Sequence, residues 1–124
     1  MSGRLVIRIP PATAYAGLVR AAASALAARL DFTYDQIMDL HIAVDEICSR
    51  LLATTAAPTA LEVVLEARDG ALVVHARAEG SARPDRPFLN EWSERILRSV
   101  VDRFTVEQRD GSTTVRLDVA RAGR

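Results

Sequence analysis

The sequence predicts an α+β fold: a two-layer sandwich with a mostly antiparallel sheet and three helices on one face, in the order β-α-α-ββ-α-ββ. Asp69-Gly70 and Asp110-Gly111-Ser112 each separate two runs that read as strands, which marks two β-hairpins. Two long stretches ahead of the first hairpin space their apolar residues by three and four, the helical period. A shorter stretch of the same kind divides the hairpins. Sequential hairpins with helices between them segregate into one sheet and one helical layer.

Arg4–Ile9 alternates charged and aliphatic residues as a half-buried strand does, and Pro10-Pro11 ends it. Ala12 to Leu30 forms the first helix, with Leu18, Ala22, Leu26 and Leu30 on one side and the high-propensity run AAASALAA inside. Asp31-Phe32-Thr33 is a tight connection, and Thr33 is the N-cap of a second helix from Tyr34 to Ala53. After a loop at Thr54–Thr59, Leu61–Arg68 and Ala71–Ala78 make the first hairpin. Glu79–Pro87, EGSARPDRP, is built of loop residues. Phe88–Val101 carries Phe88, Trp92, Ile96 and Val100 at four-residue spacing, a third helix in which Trp92 is expected as the core anchor. Phe104–Arg109 and Thr113–Ala120 make the second hairpin, and residues 121–124 are expected to fray.

At 124 residues, 49% hydrophobic and 26% charged, the chain fits a single folded domain spanning 1–124. Sixteen basic residues, all Arg, balance sixteen acidic ones, so no footprint for nucleic acid or an anionic membrane is expected. Arg without Lys, beside abundant Ala, matches a high-GC and specifically actinobacterial codon bias. The single Cys48 cannot close an internal disulfide and reads as a small buried hydrophobe. No apolar run reaches the ~20 residues of a membrane span, and MSGRLVIRIP has no export signal. The expected location is the cytoplasm.

The chemistry-bearing stretch is DLHIAVDEICSRLL, Asp39 to Leu52. Ile37, Leu40, Val44, Ile47 and Leu51 form one apolar stripe. Off that stripe, Glu46 and Arg50 are four apart and are expected to pair, as are His41 and Asp45. No Cys/His cluster suggests a metal site. Ser49, Ser93 and Ser112 lack a nucleophile-elbow context. The two Asp-Gly pairs are turns without the alternating oxygen ligands of a Ca²⁺ loop.

The phrase AVDEICSRL resembles the first nucleotide-site helix of the anti-sigma-factor serine kinases, within the histidine-kinase-like (GHKL) ATPase superfamily. The closing segment RILRSVVDRFTVEQRDGSTTVRL, with Arg98, Val101-Asp102 and Thr113-Thr114-Val115, is similar to that family's last helix and strands. The resemblance implies the histidine-kinase-like ATPase fold and assigns Glu46 as general base. Arg50 stands where the family has the Asn that ligates magnesium. Ala78-Glu79-Gly80-Ser81-Ala82 stands where the family has Asp-x-Gly-x-Gly, so the adenine-reading Asp is Ala78. Glu91-Trp92-Ser93-Glu94 stands where the lid has Gly-x-Gly-Leu. Metal, adenine and phosphate elements are thus all altered, leaving Arg50, Gly80 and Thr114 as nucleotide-site remnants.

The resemblance therefore implies a degenerate site with no metal and no cofactor. It implies an anti-sigma regulator that captures a sigma factor, is countered by an anti-anti-sigma (STAS-type) antagonist, and self-associates as a homodimer. Arg20 and Arg29, bracketing AAASALAA, mark the expected partner surface. Two alternatives stay open. One is an active serine/threonine kinase that uses ATP and Mg²⁺, with Asp45 or Glu79 as substitute metal ligand, and phosphorylates the antagonist. The other is a ligand-sensing domain with an altered pocket under Ser81–Pro87.

Overall fold

The computed structural model describes residues 3–109 and 111–122. The elements run β1 (Gly3–Ile9), α1 (Ala16–Arg29), α2 (Tyr34–Thr54), β2 (Ala60–Arg68), β3 (Ala71–Glu79), α3 (Glu91–Val100), β4 (Arg103–Arg109) and β5 (Ser112–Ala120). A 3₁₀ turn at Thr13–Tyr15 leads into α1. All strand pairings are antiparallel, in the order β1-β2-β3-β5-β4. The expected α+β order is the observed one.

Local chemistry explains the joints. Thr33 caps α2 in a reciprocal box: its hydroxyl accepts from the Gln36 amide, and Gln36 accepts from the Thr33 amide. Asp31 turns the chain at φ 62°, a conformation Asp tolerates better than branched residues do. Asp69 and Gly70 both have positive φ, 48° and 78°, as the tight β2–β3 hairpin requires. Asp110 of the second turn lies outside the described residues.

α3 starts later than Phe88, because the Asn90 carboxamide oxygen accepts the Ser93 amide at 2.7 Å and fixes the helix start. Phe88 is buried, ahead of the helix, and is the anchor. Trp92, expected in the core, is 67% exposed: once Asn90 sets the phase, Ser93 and Leu97 point inward instead. Of the tail, the Arg121 amide donates to the Gly70 carbonyl and the Ala122 amide to Gln36 Oε1.

Alternation splits the sheet into two faces. Leu61, Val63 and Leu65 of β2, Leu72, Val74 and Ala76 of β3, and Val115 and Leu117 of β5 are buried against the helices. The aliphatic core is closed by Val19, Ala23, Leu40, Val44, Ile47, Leu51 and Leu97. The opposite face has no helix and carries alternating charge. Arg8 meets Glu79 at 2.8 Å across the intervening β2, Arg77 lies 3.7 Å from both Glu62 and Glu79, and Arg103 and Arg116 both reach Asp118 at 3.1 Å.

Burial alone would raise the Asp118 carboxyl, but hydrogen bonds from Arg116 and Arg103 outweigh it and hold the group below its ordinary value. The folded state then binds this proton less readily than the unfolded chain. The stabilisation is present above the ordinary value of 3.8 and is lost as pH falls through the depressed folded value. Asp118→Asn should therefore lose less stability than the unsubstituted chain in urea titrations stepped from about pH 6 down to about pH 2.5. Parallel loss in both proteins would disconnect Asp118 from the acid response.

Candidate functional site

Helix α2 presents three faces. Leu40, Ala43, Val44, Ile47, Cys48 and Leu51 enter the core. The flank toward α1 carries His41 and Asp45. The flank toward α3 carries Glu46 and Arg50, the two residues on which the sequence argument rests.

Glu46 and Arg50 do not pair with each other. Glu46 Oε2 accepts a hydrogen bond from the Ser93 hydroxyl at 2.6 Å. Arg50 donates from Nε to the Phe88 carbonyl at 2.7 Å and from Nη2 to the Pro87 carbonyl at 2.8 Å. The expected i,i+4 ion pair gives way because carbonyls of an irregular segment need donors, and a guanidinium supplies two in a fixed fork. His41 and Asp45 are also apart. Asp45 takes a two-oxygen contact from Arg20 Nη1, at 2.9 and 3.0 Å, while His41 Nε2 meets the Ser24 hydroxyl. Both bonds cross the α1–α2 seam, where the small alanines bring the backbones close.

The segment between β3 and α3 runs along the C-terminal end of α2. The Arg83 amide donates to the Thr54 carbonyl at 2.8 Å, the Ala56 amide to the Ser81 carbonyl at 2.8 Å, and Arg86 Nη1 reaches the Ala53 carbonyl at 3.4 Å. Thr55 and Ala82 form an isolated bridge. Last-turn carbonyls of a helix need outside donors, and this segment supplies them. Gly80 permits the crossing: it sits at φ 137°, and a Cβ there would fall 2.7 Å from Thr55 Cγ2 and 2.8 Å from the Ala56 carbonyl.

The remaining sequence candidates separate. Thr114 lies on the open sheet face with Arg116 and Asp118, away from α2. The buried Thr113 is the member of that pair facing the helices. Alternation through Thr113, Val115, Leu117 and Val119 was the signal for that. Glu79 is also on the outer face, bound to Arg8, and Asp45 is bound to Arg20. Arg29 is exposed near the end of α1. Ser93, which lacks a nucleophile-elbow context, is instead a cap partner, and Asn-x-x-Ser at 90–93 is the signal for it. Among the described residues, the buried polar side-chain atoms without a partner are Thr55 Oγ1, Thr113 Oγ1 and Arg83 Nε. Thr55 and Arg83 flank the Thr55–Ala82 bridge, while Thr113 lies across from Ala78 on β3.

At the position of Arg50 the site offers a cation and no oxygen ligand, and the nearby Glu46 carboxylate already accepts a hydroxyl. Among the described residues no group of three or more His, Cys, Asp and Glu converges to hold a metal. Cys48 is pushed up to about 12, by burial first and by the Asp45 charge second, so its thiol is no nucleophile at neutral pH.

No family model matches the chain. Over 43 residues it is 46% identical to the serine-protein kinase RsbW of Bacillus velezensis, a stretch covering 35% of this chain and 27% of that protein. Over 61 residues it is 34% identical to the anti-sigma-F factor RsbW of Mycobacterium tuberculosis, covering 49% and 36%. A crystal structure of the RsbU and RsbW domains of Rv1364c from the same organism superposes with a TM-score of 0.73 at 17% identity, over 96% of this chain and 32% of that one. Over these stretches the sequence is similar to RsbW proteins, and the fold is shared with the superposed structure. The matched stretches span about a third or less of these relatives' own length, so the RsbW likeness carries the fold and leaves activity and partners to argument.

Arg20, expected on the partner surface, is bonded to Asp45 and remains partly exposed. Arg20→Glu sets two carboxylates against each other across the α1–α2 seam. Both side chains are over a third exposed, at 41% and 48%, so solvent screens the effect. Urea titration should show a loss of about 1 kcal/mol, most of it recovered when Asp45→Arg is added. Simple additivity of the two changes would deny the pair any coupling.

Proposed function

We propose that this chain is an anti-sigma regulator that works by binding: it captures a sigma factor in the cytoplasm, is countered by an anti-anti-sigma antagonist, and turns over no ATP. The observation that carries the reading is the engagement of Arg50 with the Pro87 and Phe88 carbonyls. Magnesium needs hard oxygen ligands, and a guanidinium has none. Phosphoryl transfer depends on metal stabilisation of developing charge, so Glu46 without a metal, and hydrogen-bonded to Ser93, has no partner in that chemistry. Asp45 and Glu79, the substitute ligands of a kinase reading, are held by Arg20 and Arg8. The kinase alternative keeps one point in its favour, the description of the Bacillus relatives as serine-protein kinases.

Among the described residues, no helix is long and apolar enough to cross a membrane. The edge of β1 supports the homodimer we propose. Among the described residues its outer hydrogen-bonding groups face no strand, and Leu5 and Val6 on it are exposed, as is Leu18 on α1. For the sigma-factor surface, Arg29 is the better candidate of the two arginines, because Arg20 is committed to Asp45.

Millimolar Mg·ATP should leave the melting temperature unchanged. A nucleotide at about 100 times its Kd would add ~2.7 kcal/mol to the folded state, a shift calorimetry resolves easily. A rise of several degrees that EDTA abolishes, or phosphate transfer to an antagonist that Glu46→Ala eliminates, would establish the kinase instead.

Arg29→Glu should leave stability within ~0.5 kcal/mol, as exposed helix positions do. It should weaken sigma-factor capture at least about tenfold, or 1.4 kcal/mol. Isothermal titration that finds equal affinity in both proteins would take Arg29 out of the interface, and absence of any sigma-factor binding would remove the function.

A further inference from the structure

We propose that the segment 81–90 and the first turn of α3 are latched onto α2 in the ligand-free protein, with Arg50 as the latch. This goes beyond the function proposed above and does not depend on the identity of any partner.

The segment has no ladder of its own, yet a series of its polar groups is bonded along α2 and the residues just after it, Arg83 Nε being a buried exception. Glu46 holds Ser93, Arg50 holds the carbonyls of Pro87 and Phe88, the Ala53 carbonyl takes Arg86, and the Thr54 carbonyl takes the Arg83 amide. The Ala56 amide closes the series on the Ser81 carbonyl. Buried Phe88 pins the same stretch from beneath. Arg50 is the member that bonds twice, through a charged donor, and charge-assisted bonds are the stronger kind. It also acts at the point where the segment meets α3. Without it, two adjacent carbonyls lose their protein donors, and Glu46–Ser93 becomes the remaining side-chain tie between α2 and the start of α3.

Arg50 is thus a positioning residue. The residues at the ends of one helical turn of α2, 46 and 50, hold the Asn90-capped start of α3 against α2. They hold the exposed face of that helix, Trp92 included, in one place with no ligand present. Where a lid must close over a bound molecule its order depends on that molecule; here the order comes from the chain's own guanidinium.

Hydrogen exchange followed by mass spectrometry on the ligand-free protein tests this, with Trp92, the single tryptophan, as a second readout. In the unsubstituted protein the Arg83, Arg86 and Ser93 amides should exchange well below the unstructured rate. Arg50→Ala should speed exchange across 83–93 at least about tenfold, while β2 and β3 stay within about twofold. It should also lower the fluorescence anisotropy of Trp92. Arg50→Lys, which keeps a cation but loses the planar fork, should fall between the two. The latch is overturned by unstructured-rate exchange in the unsubstituted protein. It is equally overturned by Arg50→Ala rates within about twofold, or by acceleration spread evenly over the sheet. Should Arg50→Ala fail to fold, Arg50→Lys decides: acceleration confined to 83–93 supports the latch, and unchanged rates there overturn it. The outcomes are separable from those for nucleotide, since Mg·ATP binding would sink the nucleotide-free reading and leave ligand-free protection intact.

Discussion

A stretch of backbone without a helix or a ladder has to find partners for its amides and carbonyls, and between β3 and α3 three of them, the Arg83 amide and the Pro87 and Phe88 carbonyls, are met by one helix. Arg50 is the centre of that arrangement, giving two donors to consecutive carbonyls. α2 is therefore more than the core helix its apolar stripe suggests. One side seals the sheet, one side is bonded to α1 through Asp45 and His41, and one side carries the connection that leads to α3. Arg50 can serve only as a donor, and the surrounding backbone makes use of it.

The same economy of partners runs over the open face of the sheet. With no helix above it, that face is kept in water by rows of arginine and carboxylate that neutralise one another, and Val73 is buried beneath them. Such rows contribute little stability singly, but they keep the face polar. The exposed large apolar side chains are spread over β1 (Leu5, Val6), the entry to and body of α1 (Tyr15, Leu18), α2 (Tyr34, Ile42) and α3 (Trp92).

Much of the architecture was legible because it is written in local terms. Asp69-Gly70 can adopt the two positive φ angles a hairpin needs, Thr33 and Gln36 are spaced to cap each other, and the strands alternate. The site was harder to read because side-chain partners are chosen in three dimensions. Glu46 and Arg50 satisfy the spacing rule for a helical pair, yet Ser93 lies 47 residues from Glu46 in sequence and Phe88 lies 38 from Arg50. No periodicity reports such contacts. Trp92 was misplaced for a different reason: a four-residue spacing from Phe88 was read through the start of α3, whereas Asn90 resets the phase. Thr113 against Thr114 was decidable from strand alternation alone and turned on giving the motif more weight than the period.

Cys48 has a consequence for how the chain meets an oxidising cell. It is the only sulfhydryl, 1% exposed, and pushed up to about 12. Burial and the neighbouring charge favour the thiol at neutral pH, and thiolate is the form that peroxides, disulfides and alkylating agents attack. Two barriers act together: the sulfur must lose its proton, and α2 must leave the core for a reagent to arrive. Modification therefore proceeds through molecules that have opened, at a rate set by the opening equilibrium, so Cys48 works as a built-in counter of unfolding. Redox signals that reach exposed thiols would pass over the folded chain.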